Sequence, residues 1–344
     1  MLDARCYLFP VLFLVLVSLA PAAEIEERHL RMFAPLPKDM PSAENPFTPE
    51  KIDLGRMLYY EKRLSKSHTI ACNSCHLLDQ YGADGKATSA GFRDKTGDRN
   101  SPTVYNAAGH IAQFWDGRAK TVEEQAKGPV MNPVEMAMPS EKFVLEVLKS
   151  IPGYRKSFAK AFPGEADPVT FDNFALAVAA FERKLTTPSR WDKFLAGDQR
   201  ALTEAEKQGF VTFVDTGCAT CHNGPYVGGS MFQKLGLVKA WPDRSDLGRA
   251  KVTGKAEDEL VFKVPSLRNI EKTGPYYHDG KVATLEQAVK LMAEYELGRT
   301  ISDADTASIV TWLKSLTGEI PWKYIKEPKL PKGSAATPKP DLSE

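Results

Sequence analysis

The sequence predicts a mainly α-helical chain in two domains, joined and covered by long irregular loops. Three observations predict it: apolar residues recur at helical spacing in one segment after another, strand-like runs are few, and two copies of one cysteine motif fall in separate sets of helices. The 344 residues suffice for two ordinary domains, and 42% hydrophobic with 26% charged residues is the composition of a folded globular chain. The 45 basic residues nearly balance the 44 acidic ones. No charge excess is left to hold a nucleic-acid backbone or an anionic membrane, so neither is an expected partner.

The elements follow in order. Arg5, an apolar run from Tyr7 to Ala20, the small residues Ala20-Pro21-Ala22 and an acidic stretch from Glu24 to Glu27 read as a secretory signal peptide over residues 1–22. The alternative, an uncleaved anchor, needs roughly 20 apolar residues, and the run is shorter. No membrane span is expected after cleavage, Cys6 leaves with the leader, and the mature chain is expected in the periplasm. Thr48-Pro49-Glu50 opens a helix carrying Ile52, Met57 and Leu58. Ser140 caps another, in which Phe143, Val144, Val147, Leu148 and Ile151 share a face, and Phe174, Val178, Phe181 and Leu185 mark a third. Thr203 with Glu206 and Thr284 with Gln287 fit the capping box, so helices are expected just after each threonine. Leu260 to Val264 is the chief strand signal. Gly82 to Pro102 and Gly224 to Gly254 are long irregular stretches, of a length that carries sites or covers cofactors. A boundary near Thr186-Thr187-Pro188-Ser189 divides residues 23–186 from 187–318. Residues 319–344 form an extended tail, expected to pack back on the first domain, whose last part from Pro328 is rich in lysine and proline.

Exported cysteines are ordinarily read as disulfides. Here each pair is Cys-x-x-Cys followed at once by histidine: Cys72-Asn73-Ser74-Cys75-His76 and Cys218-Ala219-Thr220-Cys221-His222. This is the attachment signature of c-type haem, in which both thiols form thioethers to the porphyrin and the next imidazole ligates iron. One motif alone also suits a redox dithiol or half a zinc site, but two, with no cysteine left over, imply two covalently bound haem c groups. The fold expectation sharpens to two cytochrome c-like haem domains, one haem in each, with His76 and His222 as iron ligands and Cys72, Cys75, Cys218 and Cys221 as anchors.

Iron with histidine on one side is catalytic or an electron carrier according to what lies on the other. His29, His68, His110, His278 and the methionines are candidates. Met292 stands out because it shares a helix face with Leu285, Ala288 and Val289, and a thioether raises the potential of histidine-ligated iron. Periodicity alone favours a core methionine.

The sequence resembles the bacterial dihaem cytochrome c peroxidases, which are related to the MauG-type dihaem enzymes. The resemblance runs from about Leu54 to Gly318 and is carried by Leu54 to Tyr60, both haem motifs, Arg99 to Ala107, Gln113 to Arg118, Gln125 to Val130, Pro265 to Asn269 and Pro275 to Lys281. It implies an enzyme that reduces hydrogen peroxide to water with electrons from a small soluble cytochrome c or cupredoxin, and a homodimer. The His76 haem would be peroxidatic and the His222 and Met292 haem the high-potential store. Glu135 matches the family's distal proton carrier, with Gln125 as its hydrogen-bonding partner and Pro129 shaping the pocket; a surface glutamate is the bland alternative. Trp115 matches the tryptophan between the haems, or simply packs. Asn100, Thr273 and Pro275 match a calcium site, where amide and carbonyl oxygens suit a hard cation. Arg249 and Arg268 are candidates to meet haem propionates, or to form surface salt bridges.

The pattern breaks at one place. Where most of these peroxidases carry a distal histidine that closes the peroxidatic iron until the other haem is reduced, this sequence has Phe92, which cannot ligate. His68 and His110 are the remaining substitutes. The expectation is a peroxidatic iron open in the oxidised enzyme, so that peroxide reacts without reductive activation. A MauG-like oxidase of a partner protein shares the open iron but carries tyrosine at the position of Met292, and a non-catalytic dihaem carrier requires both irons closed.

Overall fold

A computed structural model describes residues 25–343, so the leader expected over residues 1–22, with Cys6, lies outside the described residues. The chain is mostly helical. Apart from single turns, the helices are, in chain order, α1 (Pro49–Tyr59), α2 (Val122–Met131), α3 (Glu141–Ser150), α4 (Pro152–Ala161), α5 (Phe171–Glu182), α6 (Arg190–Leu195), α7 (Glu204–Thr216), α8 (Leu285–Leu297) and α9 (Asp303–Lys314). Strands β1 (Phe232–Lys234) and β2 (Val261–Lys263) form one antiparallel pair in the register Phe232 to Lys263. Among the described residues no helix is long and apolar enough to cross a membrane.

The caps read from the sequence start the helices. Thr48 and Ser140 each accept a backbone N–H at the third helical residue, and Thr203 and Glu206 make both arms of a capping box. At Thr284 only the threonine arm forms, to the Gln287 N–H. The expected strand is shorter than Leu260 to Val264, because Leu260 takes φ +59° and leaves the pleat.

Two of the apolar clusters are large. One gathers Leu54, Leu58, Val144, Leu148, Phe158, Phe174 and Val178 from α1, α3, α4 and α5. The other gathers Trp191, Phe194, Phe210, Phe213, Ile309 and Trp312 from α6, α7 and α9, and takes in Phe33 from the N-terminal segment. Each is built on a helix crossing that needs glycine. A Cβ on Gly55 would lie 1.9 Å from the Ala177 carbonyl oxygen, and one on Gly209 would lie 2.1 Å from that of Ser308. No side chain fits either contact, so α1 meets α5, and α7 meets α9, backbone to backbone.

The segment at Thr186 to Ser189 is not an exposed linker. Thr187 and Ser189 are buried, and the Thr187 hydroxyl accepts from the side-chain amides of both Asn106 and Asn269. Asn106 also receives the Thr187 N–H. The tail runs back over the first helices: Tyr60 donates to the Ile325 carbonyl, Arg63 to that of Pro331, and the Asp341 N–H to that of Lys66.

Arg268 corrects a sequence expectation. It is 1% exposed and grips Asp192 with two nitrogens, both at 2.7 Å, while its Nε donates to the Pro225 carbonyl. Asp192 also accepts the backbone N–H groups of Leu36 and Ser189. The guanidinium is thus neither free for a propionate nor part of a surface salt bridge. Burial opposes ionisation of Asp192, but Arg268 and the two N–H groups outweigh it and hold the carboxyl below its ordinary value. Arg268→Met should destabilise the fold by about 3–5 kcal/mol, because it leaves a buried carboxylate without its cation. The pair's contribution is present above the unfolded aspartate pKa and is lost as pH falls through the depressed folded value. Chemical denaturation of wild type and variant at neutral and acid pH reads both effects.

Candidate functional site

The two cysteine motifs are built alike. Cys72–Cys75 is a single helical turn after α1, in which the Ala71 N–H donates to the Ser74 hydroxyl and the His76 N–H to the Cys72 carbonyl. The second motif follows α7, which ends at Gly217 in the left-handed region (φ +104°), and there the His222 N–H donates to the Cys218 carbonyl. In both, the chain turns so that the imidazole follows directly behind two thiols. All four cysteines are free of disulfides and partly buried.

Both imidazoles are half-buried, with Nδ1 turned inward. Nδ1 of His76 and Nδ1 of His222 are buried without a hydrogen bond of ordinary geometry. Burial lowers the pKa of both, His222 to about 4, against a smaller upward influence of nearby backbone: Gly82 and Pro102 at His76, Val227 and Pro265 at His222. Each ring is therefore neutral near pH 7, the form a metal ligand needs. Burial raises the thiols too, Cys218 to about 12. Glu182 on α5, which the sequence did not single out, adds to the rise at Cys72, and its own carboxyl is pushed by burial to about 8.

An apolar cavity opens beside the second motif. Cys218, Cys221, His222 and Met292 line it, with Val289 and Leu235 among the apolar walls. Met292 packs at the edge of the cluster of Leu235, Phe262, Tyr277 and Ala288. The sequence-selected thioether and imidazole thus face one hollow. Asn100, Thr273 and Pro275 lie on the same wall. The Asn100 amide nitrogen donates to the Lys86 carbonyl, which leaves its oxygen for other partners. Two anchoring thiols, a neutral imidazole, a thioether and apolar walls fit a covalently attached haem. At the first motif, the neutral His76 with Cys72 and Cys75 fits one as well.

Trp115 is tied on both sides of this cavity. Its indole N–H donates to the Asn100 carbonyl, and its own carbonyl receives the Lys263 N–H of β2. Arg99 braces the neighbouring residues, with one nitrogen on Asp116 and two on Asp246.

Glu135 lies in the turn after α2. Asn132, not Gln125, supplies its hydrogen bond, at 2.6 Å to Oε1, and no bond joins Gln125 to Glu135 among the described residues. Burial raises the Glu135 pKa, against the opposing pulls of Asn132 and Arg118. Phe92 is buried, and its N–H donates to the Glu135 carbonyl at 2.8 Å. A Cβ on the preceding Gly91 would sit 2.0 Å from the Val134 carbonyl oxygen, so the two loops pack backbone to backbone. The loop that replaces a histidine with Phe92 and the turn that carries Glu135 are one hydrogen-bonded unit.

His68 is half-buried at φ +55°, with burial and then Arg63 lowering its pKa. His110 lines the cavity of the second motif, with Nδ1 3.1 Å from Lys263 Nζ. Arg249 is also engaged, on the Asp116 carbonyl and over the Phe232 ring.

The model of a family described as di-haem cytochrome c peroxidase matches residues 49–200. The chain is 48% identical to the cytochrome c551 peroxidase of Nitrosomonas europaea, over 85% of this chain and 87% of that one. It is 42% identical to the cytochrome c551 peroxidase of Pseudomonas aeruginosa, over 97% of this chain and 98% of that one. Among solved structures, a MauG-like protein associated with microbial copper homeostasis superposes with a TM-score of 0.76 at 29% identity, covering 85% of this chain and 97% of that one. Replacing Cys218 and Cys221 together by serine should leave one haem per chain instead of two, as measured by the pyridine haemochrome spectrum.

Proposed function

The chain belongs to the di-haem cytochrome c peroxidase family, and from that premise we propose that it reduces hydrogen peroxide to water without prior reductive activation. Two haem c groups, one on His76 in residues 23–186 and one on His222 and Met292 in residues 187–318, supply when bound a redox-active iron for peroxide and a second electron store. Electrons come from a small cytochrome c or cupredoxin in the periplasm, and the enzyme acts as a homodimer. Calcium at Asn100, Thr273 and Pro275 steadies the cavity wall beside Trp115. Residues 319–344 strap the first helices.

The observation that carries the reading is the Phe92 to Glu135 hydrogen bond. A phenyl ring offers no lone pair to iron, so nothing on this loop has to be released before peroxide enters. The same bond anchors the turn that presents the Glu135 carboxylate. Glu135 would take the proton from one peroxide oxygen and return it to the other as the O–O bond breaks; with two electrons and two protons supplied, both oxygens would leave as water. Asn132 orients the carboxylate for this transfer. Trp115, pinned through its indole N–H and its carbonyl, keeps one ring orientation, so the electronic coupling across it does not fluctuate.

Two results are expected. Peroxide consumption with reduced cytochrome c, started from the fully oxidised enzyme, should begin without a lag, and Phe92→His should introduce a lag that prior reduction removes. A lag in wild type would sink the activation-free reading. Glu135→Gln should lower kcat/KM for peroxide by about 10²–10⁴-fold. Because Glu135 works ionised and its pKa is raised, wild-type kcat/KM should fall with decreasing pH through a midpoint above that of an ordinary glutamate.

A further inference from the structure

Lys263 ends β2 with its side chain inside the protein, 8% exposed, on the wall of the cavity that Cys218, Cys221, His222 and Met292 share. No carboxylate among the described residues pairs with it. Its one side-chain partner is His110, with Nδ1 3.1 Å from Nζ. An ammonium has only protons to offer, so Nδ1 accepts and the imidazole proton sits on Nε2. That atom is buried with no acceptor. Burial alone draws the lysine down to about 8, and burial followed by the Lys263 charge holds His110 well below its ordinary value, in agreement with a neutral ring.

A buried cation without an anion is a structural expense that folded proteins avoid by pairing or neutralising it. The missing anion has an evident source. A porphyrin attached at Cys218 and Cys221 brings two propionates into this cavity, and the two arginines that the sequence nominated for them are engaged elsewhere, Arg268 on Asp192 and Arg249 on backbone carbonyls and the Phe232 ring. We infer that Lys263, steadied by His110, receives a propionate carboxylate of the haem anchored at Cys218 and Cys221. The lysine then positions that haem against the strand whose N–H also holds Trp115, and its charge favours the reduced iron.

This inference rests on the two-haem reading above, which haem content tests separately. The experiment is a spectroelectrochemical titration of the holoenzyme and of Lys263→Met, Lys263→Gln and Lys263→Arg, each first shown to carry two haems. Methionine keeps the side-chain volume and removes a buried charge, and glutamine serves where methionine does not fold. Loss of the cation should shift the midpoint of the methionine-ligated haem downward, because ferric iron no longer faces a nearby positive charge. Lys263→Arg should stay close to wild type, and the other haem should not move. A shift confined to the first haem, or no shift at either, overturns the inference.

Discussion

Two neutral imidazoles, each half-buried with Nδ1 inward and each directly following a pair of thiols, set the constraint on which the rest of the chain is arranged. A histidine free in water is partly protonated near neutrality, and a protonated ring cannot bind iron. Here burial lowers both His76 and His222, against a smaller upward influence of backbone that includes Pro102 at the first and Pro265 at the second. The long loops Gly82 to Pro102 and Gly224 to Gly254 run from each motif, and the first ends at Pro102 itself. Loops of this length commonly carry sites rather than simply connect helices.

The two halves of this arrangement meet through polar groups that leave little freedom. Thr187 is clasped by Asn106 from one side and Asn269 from the other. Arg99 ties Asp116 to Asp246, and the backbone of β2 holds Trp115. Buried bonds of this kind stabilise little in net terms but cost much to break. Their effect is to fix the tryptophan and the cavity walls relative to one another. Near-neutral total charge has a related meaning. With 45 basic and 44 acidic residues the net charge offers little long-range steering, so charged recognition must come from local patches.

Much of this was legible in the sequence where the information is local. The helix starts at Thr48, Ser140 and Thr203 are fixed by a hydroxyl and an N–H three residues away, and the haem motifs are five consecutive residues. The missing histidine at Phe92 was equally plain. What escaped were contacts between distant residues: Arg268 finds Asp192 across 76 positions, and Lys263 finds His110 across 153. Composition and spacing carry no trace of such pairs, and a buried lysine looks like any other in a sequence that has many. Asn132 was missed for a different reason. It lies three residues from Glu135, but the family pattern pointed to Gln125, and only the turn after α2 shows which amide reaches the carboxylate.

With Phe92 where a ligating histidine would stand, we propose that iron held by His76 is open in the oxidised enzyme and that iron held by His222 is closed by Met292. Low-temperature electron paramagnetic resonance of the fully oxidised holoenzyme tests it most directly. One axial high-spin ferric signal beside one low-spin signal, in equal amounts, is the expected spectrum. Two low-spin signals accounting for all the iron would contradict it.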